Sequence, residues 1–303
     1  METAKEVIDK FKPGLKEITL LSHVRHLRIL FEHFGQGKTL LKYLSNPKKV
    51  IENLEEKYQK SSTISSYICS VFLYLKAIKA DEKIIDFYTQ KYIDLKKEIN
   101  QINDFNEKSE TEMKNWITQA EIKQKIEDLK NSLGKTRNLF DTYQQYLVLN
   151  LYYLIPPIRN DYARVEVFNK FDEDFTGNSI NLDTKNLILK SYKTSRTYGK
   201  KVIDLPDELI EIIKEWMKIR EEIYPELKGK PELLFNLKLT KMSGINLTMY
   251  LNKIFGRNVS TTMLRKSYLS DKFPVEETTD DRKKLAGEML HSVNMQQNVY
   301  RKK

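Results

Sequence analysis

Leu285-Ala286-Gly287-Glu288-Met289-Leu290-His291-Ser292-Val293-Asn294-Met295-Gln296-Gln297-Asn298-Val299-Tyr300 is the stretch on which the reading of this chain turns. A His-Ser pair precedes a Gln-Asn-Val-Tyr run, and nine positions separate His291 from Tyr300. Only Arg301, Lys302 and Lys303 follow. Taken alone, His291 is an ordinary polar residue and Tyr300 a packing residue near a chain end. Their weight comes from three segments upstream.

The first is Tyr152-Tyr153-Leu154-Ile155-Pro156-Pro157-Ile158-Arg159-Asn160-Asp161-Tyr162. The second runs from Leu187 to Pro206, where two β-branched, apolar runs flank a polar turn with one glycine, Gly199, which reads as a hairpin. It carries Lys190, Lys193, Lys200 and Lys201. The third is Thr262-Met263-Leu264-Arg265-Lys266-Ser267-Tyr268.

In this order, over about 140 residues, Arg159, Lys193, Arg265, His291 and Tyr300 resemble the active-site signature of the tyrosine recombinase (phage-type integrase) superfamily. The Ile-Pro-Pro-x-Arg-Asn-Asp-Tyr form of the first segment is similar to recombinases of large DNA viruses and related mobile elements. The motifs cover residues from about 115 to 303, and the part before them is matched by general architecture. The chain departs from the family pattern at three places. Tyr162 stands where a glutamate is usual, with Asp161 the nearest carboxylate. Thr262 replaces a histidine three positions before Arg265, and Leu290 replaces the glycine before His291.

The resemblance implies a site-specific DNA recombinase or integrase. Tyr300 would attack a DNA phosphodiester, giving a 3′-phosphotyrosine and a free 5′-hydroxyl, so that one hard cleavage becomes two transesterifications. Arg159 and Arg265 suit the charge gathering on the non-bridging oxygens, since a guanidinium is always protonated and contacts oxyanions through two donors. His291 would donate a further hydrogen bond or take the phenol proton. Lys193 is the best match for the lysine that protonates the leaving oxygen, with Lys190, Lys200 and Lys201 close by. Asp161 and Thr262 are candidate supports of the site. No metal or other cofactor is implied. The expected partner is double-stranded DNA, held by a homo-tetramer with a dimer per site, and no membrane. Two other readings stay open. One is a catalytically silent, recombinase-derived DNA-binding protein, motivated by Thr262 and the displaced carboxylate. The other is a type IB topoisomerase, whose small viral forms carry a β-rich N-terminal domain that the helical pattern here argues against.

Composition agrees without deciding. At 303 residues the chain is long enough for two domains with real cores. No apolar run approaches the ~18–20 residues that span a bilayer, and the N-terminal residues do not read as a signal peptide. The single cysteine, Cys69, excludes an intramolecular disulfide and fits a reducing compartment, so the expected location is intracellular: nucleus, virus factory or cytoplasm, according to the host. The net charge of +10 favours an anionic partner, although a chain so rich in Lys, Asn, Ile and Tyr owes part of that surplus to compositional bias. The sequence stops three residues beyond Tyr300. Many relatives continue there into a helix that docks on a neighbour, so either assembly takes another route or the sequence is truncated.

The expected fold class is mainly α with a small antiparallel β-sheet, in two domains. A helical core-binding domain fills residues 1–105, a linker 106–115, and the catalytic tyrosine recombinase domain 116–303. In the first domain, Ile18, Leu21, Val24, Leu27 and Phe31 form a stripe at helical spacing. Further helices are expected at about 38–44, 47–58, 62–79 and 81–97, the third of these opened by an N-cap from Ser61-Ser62-Thr63. Arg25, Arg28, Lys60 and Lys76 are candidate DNA contacts there, as is Arg196 on the hairpin, although each alone also reads as a solvated charge. His23, His26 and His33 share the first helix and are expected to face solvent or DNA rather than a metal. Gly35-Gln36-Gly37-Lys38-Thr39 imitates a phosphate loop but lacks the earlier glycine and strand, and reads as a helix end and turn. In the second domain Thr118 and Glu121 form a capping box, followed by helices at about 119–132 and 136–154. A strand near 164–168, the hairpin at about 186–204, and helices at about 206–223, 246–256, 260–272, 281–290 and 294–301 complete it.

Overall fold

Thr3 and Glu6 close a capping box at the start of the chain, each satisfying the other's backbone N–H, and so begin a helix that periodicity alone does not reveal, α1 (Ala4–Phe11). The computed structural model describes residues 3–35, 37–104, 107–170, 174–272 and 279–302. The chain divides into two compact units, Met1–Phe105 and Asn106–Lys303. Among the described residues no helix is long and apolar enough to cross a membrane.

The first unit is all-helical: α1, α2 (Glu17–Phe34), α3 (Leu40–Leu44), α4 (Pro47–Lys57), α5 (Ser61–Ala77) and α6 (Glu82–Asp104). Its centre is α5, whose Ile64, Tyr67, Ile68, Val71, Leu73 and Leu75 are all buried, as befits a helix apolar on most sides. Lys60, not one of the serines after it, occupies the N-cap of α5 and makes no side-chain cap. In α2 the buried residues are Leu20, Leu27 and Leu30, whereas Ile18 is 77% exposed and Leu21 and Phe31 are also exposed. Of the stripe expected from spacing only Leu27 is buried, Val24 is half-buried, and Ile18, Leu21 and Phe31 face outward. His23 and His26 are not solvent-facing: both place Nδ1 2.9 Å from Ser70 Oγ on α5, and burial lowers both pKa values. Among the described residues no cluster of His, Cys, Asp or Glu could hold a metal. Gly35 ends α2, its N–H donating to the Phe31 carbonyl, and Thr39 caps α3.

The second unit wraps helices around one small sheet. The segment read as a linker holds instead a helix, α7 (Glu110–Asn115), started by a Ser109/Glu112 capping box. Glu112 pairs with Lys266, and Asn115 Oδ1 accepts from the Asn258 N–H at 3.0 Å, so α7 is bound into this unit. The expected Thr118/Glu121 capping box opens α8 (Gln119–Ser132). Then come α9 (Leu139–Tyr153), a 3₁₀ turn at Asn160–Arg164, β1 (Val165–Phe168), β2 (Asn178–Asn181), β3 (Asn186–Leu189), the short α10 (Ser195–Tyr198) and β4 (Lys201–Asp204). After these follow α11 (Asp207–Ile223), α12 (Gly244–Phe255), α13 (Thr261–Lys272), α14 (Thr279–Glu288) and α15 (Val293–Met295), the last running into a π-helical turn at Gln296–Tyr300.

The sheet order is β1-β2-β3-β4. It is mixed rather than antiparallel throughout, because β1 and β2 run parallel while β2-β3 and β3-β4 are antiparallel. The expected hairpin is the β3/β4 pair, with Leu187 opposite Ile203. Its connection is a folded loop containing α10, not a tight turn. Leu187, Leu189, Ile180 and Val167 join Trp216, Phe140 and Leu147 in one core. That core gives the 3₁₀ turn after α9, the β3–β4 loop and α13 a rigid support.

Candidate active site

Arg265 sits at the centre of the site. It lies on α13 and is 0% exposed, so its guanidinium needs internal partners. Nη1 donates to the Pro157 carbonyl at 3.2 Å and Nη2 to His291 Nδ1 at 2.7 Å. The Tyr300 ring centroid lies 4.6 Å from Cζ. Burial lowers the Arg265 pKa to about 10, with Tyr300 opposing that change, and the group stays cationic at neutral pH.

That contact fixes the state of His291. A guanidinium can only donate, so Nδ1 must accept. The Met289 carbonyl, 3.2 Å from the same nitrogen, then faces a lone pair and makes no hydrogen bond to it. The ring proton resides on Nε2, which is buried and unpartnered. Burial, reinforced by the Arg265 charge, pushes the His291 pKa down to about 3, so the imidazole is neutral. The site therefore holds a neutral N–H donor beside a buried cation.

Arg159 is tied to the residue before His291. It precedes the 3₁₀ turn, and its Nη1 donates to the Leu290 carbonyl at 2.9 Å. Leu290 has φ +59°, the left-handed conformation that explains why glycine suits this position and leucine pays strain there. With that turn, the Leu290 carbonyl faces Arg159 while the next residue places its ring against Arg265.

Tyr300 is 5% exposed and packs with Tyr268, Leu269, Leu285 and Met289. Its ring centroid is 4.9 Å from that of His291. The π-helical turn that carries it is a local departure from α geometry of the kind found at functional sites. Beyond it, the Arg301 N–H donates to the Gln296 carbonyl and the Lys302 N–H to Ser270 Oγ on α13, at 3.0 and 2.9 Å.

The lysine loop is held at three points. Asn178 on β2 accepts from the Lys190 and Ser191 N–H groups at 3.1 and 2.8 Å and donates to the Ser191 carbonyl at 2.9 Å. Tyr192 is buried and its hydroxyl donates to the Gly199 carbonyl at 2.8 Å, closing the loop on itself. Thr194 Oγ1 donates to the Leu290 carbonyl at 3.3 Å. Lys193 therefore lies between two anchored residues with its own side chain exposed. Lys190 is engaged elsewhere, its Nζ donating to the Phe175 carbonyl at 2.6 Å.

Asn160 is a residue that motif reading overlooks. Its Nδ2 donates to the Gly244 carbonyl at 2.9 Å and to Thr248 Oγ1 at 3.3 Å, and its Oδ1 accepts from Thr261 Oγ1 at 2.5 Å. It ties the Arg159 turn to the first turns of α12 and α13. Gly244 permits this approach, since a Cβ there would lie 3.1 Å from Asn160 Cβ. Of the candidate supports, Asp161 is half-buried, and burial raises its carboxyl pKa against the pull of Arg159 and Arg265. Thr262 is exposed, and the neighbouring Thr261 is the one that enters the network. Tyr162, at the usual glutamate position, is a core residue whose hydroxyl donates to the Leu151 carbonyl at 3.0 Å.

The candidate DNA contacts Arg25, Arg28, Lys60, Lys76 and Arg196 are all exposed. Arg28 Nε lies 3.7 Å from Glu32, and Lys76 Nζ lies 5.4 Å from the Phe72 ring centroid.

The whole fold has counterparts among solved structures. A Tn1549 transposon integrase in complex with transposon right end DNA matches at 17% identity and TM-score 0.63, over 99% of this chain and 95% of that one. The same integrase in complex with circular intermediate DNA matches at 16% identity and TM-score 0.61, over 99% and 95%. A XerA recombinase structure is matched at 12% identity and TM-score 0.43, over 98% and 92%. No protein-family model and no curated protein matches the chain. The two integrase comparisons show the fold alone: this chain is folded like that integrase over nearly its whole length.

Proposed function

We propose that this protein is a site-specific DNA recombinase or integrase that cleaves and rejoins DNA through a phosphotyrosine at Tyr300. The observation that carries the reading is the convergence on Arg265. His291 Nδ1 and the Tyr300 ring are both packed against one buried guanidinium, and Arg159 is tied to the residue before His291. Three donors of positive or polar character beside a phenol suit a phosphodiester undergoing in-line attack.

In the proposed reaction the Tyr300 Oη–phosphorus bond forms as the phosphorus–O5′ bond breaks. The phenolic proton leaves to solvent, and the Lys193 ammonium supplies the proton that O5′ takes up with its bond electrons. His291, with Nδ1 committed to Arg265, acts as an Nε2–H donor to a non-bridging oxygen rather than as the base. Arg159 and Arg265 carry the remaining charge. Rejoining is the reverse attack by a 5′-hydroxyl and consumes no nucleotide. Arg25, Arg28, Lys60, Lys76 and Arg196 are proposed contacts to the DNA backbone, which would make binding strongly dependent on salt.

A nicked duplex bearing an end or junction of a candidate mobile element tests this. Incubation in EDTA followed by a denaturing gel should give a protein–DNA band that Tyr300→Phe lacks. A bound site without any such band would favour the silent DNA-binding reading.

A further inference from the structure

Leu290 offers one carbonyl to two donors from different parts of the chain. Arg159 Nη1 approaches at 2.9 Å and Thr194 Oγ1 at 3.3 Å. Thr194 is half-buried and follows Lys193 directly. Its own carbonyl accepts from the N–H groups of Thr197 and Tyr198 at 3.0 and 3.1 Å, so it also begins the short helix α10. On the other flank of Lys193, buried Tyr192 closes the loop onto Gly199.

From this arrangement we propose that Thr194 is a positioning residue, which sets the lysine loop in register with Arg159 and His291 through the Leu290 carbonyl. The inference rests on the recombinase reading above and goes beyond it, since neither the motifs nor charge single out Thr194. A long lysine side chain has several free torsions. Fixing the backbone on both sides of Lys193 limits where its ammonium can go, while Leu290 passes the same reference to Arg159 and to the His291 ring. Loss of the Thr194 hydroxyl frees one end of the loop and leaves the phosphate-binding donors in place. The defect should therefore fall on leaving-group protonation: O5′ departs with the bond electrons, and the proton from Lys193 arrives less often.

The test uses the full chain with Thr194→Val, Thr194→Ser and Lys193→Ala, on two nicked duplexes. One has the natural O5′ at the scissile phosphate and the other a bridging 5′-sulfur. A thiolate, conjugate to a thiol of pKa about 8.5, leaves without needing a proton. On the oxygen duplex Thr194→Val should form covalent product about tenfold more slowly or worse. On the sulfur duplex that deficit should shrink to about threefold or less, and Lys193→Ala should be rescued in the same way. Thr194→Ser keeps the hydroxyl and should stay within about threefold of wild type on both. Equal deficits of Thr194→Val on the two duplexes would mark a merely structural role and overturn the proposal, as would a wild-type rate on the oxygen duplex. Failure of Lys193→Ala to be rescued would overturn it as well. If Thr194→Val fails to fold, Thr194→Ala replaces it with the same expectations. Failure of the recombinase reading looks different: the wild-type protein then forms no covalent product on either duplex, and both proposals fall.

Discussion

Arg265 Nη2 lies 2.7 Å from His291 Nδ1, and this contact sets the protonation of the histidine as well as its position. A buried cation that bonds one ring nitrogen leaves the proton on the other. Lysine could keep the charge at position 265 but could not serve Pro157 and His291 together from a planar fork. Arg265→Lys should therefore lower the rate of covalent product formation by about a hundredfold or more, with binding to the same duplex much less affected. Single-turnover cleavage and equilibrium binding on one substrate separate the two effects.

The same contact makes a statement about acid stability. The folded His291 pKa, about 3, lies below the usual 6.5. The neutral ring is thus favoured by folding, and that contribution is complete above pH 6.5. As pH falls towards 3 the unfolded chain takes up a proton that the folded one refuses, and stability is lost. At ~1.4 kcal/mol per pKa unit the loss is several kcal/mol. His291→Asn should melt with a flatter dependence on pH between 6.5 and 4 than wild type. Asp161, whose pKa burial raises, acts in the opposite sense, but it is present in both proteins and cancels in the comparison. Identical slopes for the two proteins would mean that His291 is not held neutral.

Leu290 combines a left-handed backbone with a buried side chain, φ +59° and 1% exposed. Removing the side chain costs ~2–5 kcal/mol in either Leu290→Ala or Leu290→Gly. Only glycine relieves the backbone, by ~1 kcal/mol. Leu290→Gly should thus be the more stable of the two variants by about 1 kcal/mol, the reverse of the usual order at a helical position. Chemical denaturation of both variants gives the comparison directly.

Asn160 holds together the segments that bear the two arginines. Asn160→Ala leaves the Gly244 carbonyl and the Thr261 hydroxyl without this partner, and should cost ~1–3 kcal/mol of stability. Cleavage should slow at temperatures where the variant is fully folded, because Arg159 and Arg265 lose their common brace. A variant that melts early but cleaves at the wild-type rate would confine Asn160 to stability.

What the sequence makes legible depends on how each residue does its work. Thr118 and Glu121 act on neighbouring backbone, so the start of α8 can be read from four residues. Arg159, Arg265, His291 and Tyr300 are distinguished by chemistry and order, and the fold brings them together. The α2 stripe misleads because apolar residues occur on two sides of that helix, and periodicity does not say which side is covered; Leu20, Leu27 and Leu30 are buried, and of these only Leu27 belongs to the stripe. β2 is missed because three of its four residues, Asn178, Ser179 and Asn181, are polar yet all four are buried, against the alternation expected of a strand. Asn160, Asn178 and Thr194 are neutral polar residues that act on distant carbonyls and N–H groups, so they leave neither charge nor period to follow. The φ of Leu290, in contrast, shows why glycine suits that position and leaves the leucine strained.

Whether Tyr300 carries the covalent bond is decided by recovering the linked peptide. Trapped complex would be digested with nuclease and trypsin, and the peptide ending at Arg301 sequenced by mass spectrometry. The expected product is a nucleotide joined through its 3′-phosphate to Tyr300 and to no other residue. A phosphate on a different side chain, or a 5′-linked nucleotide, would contradict it.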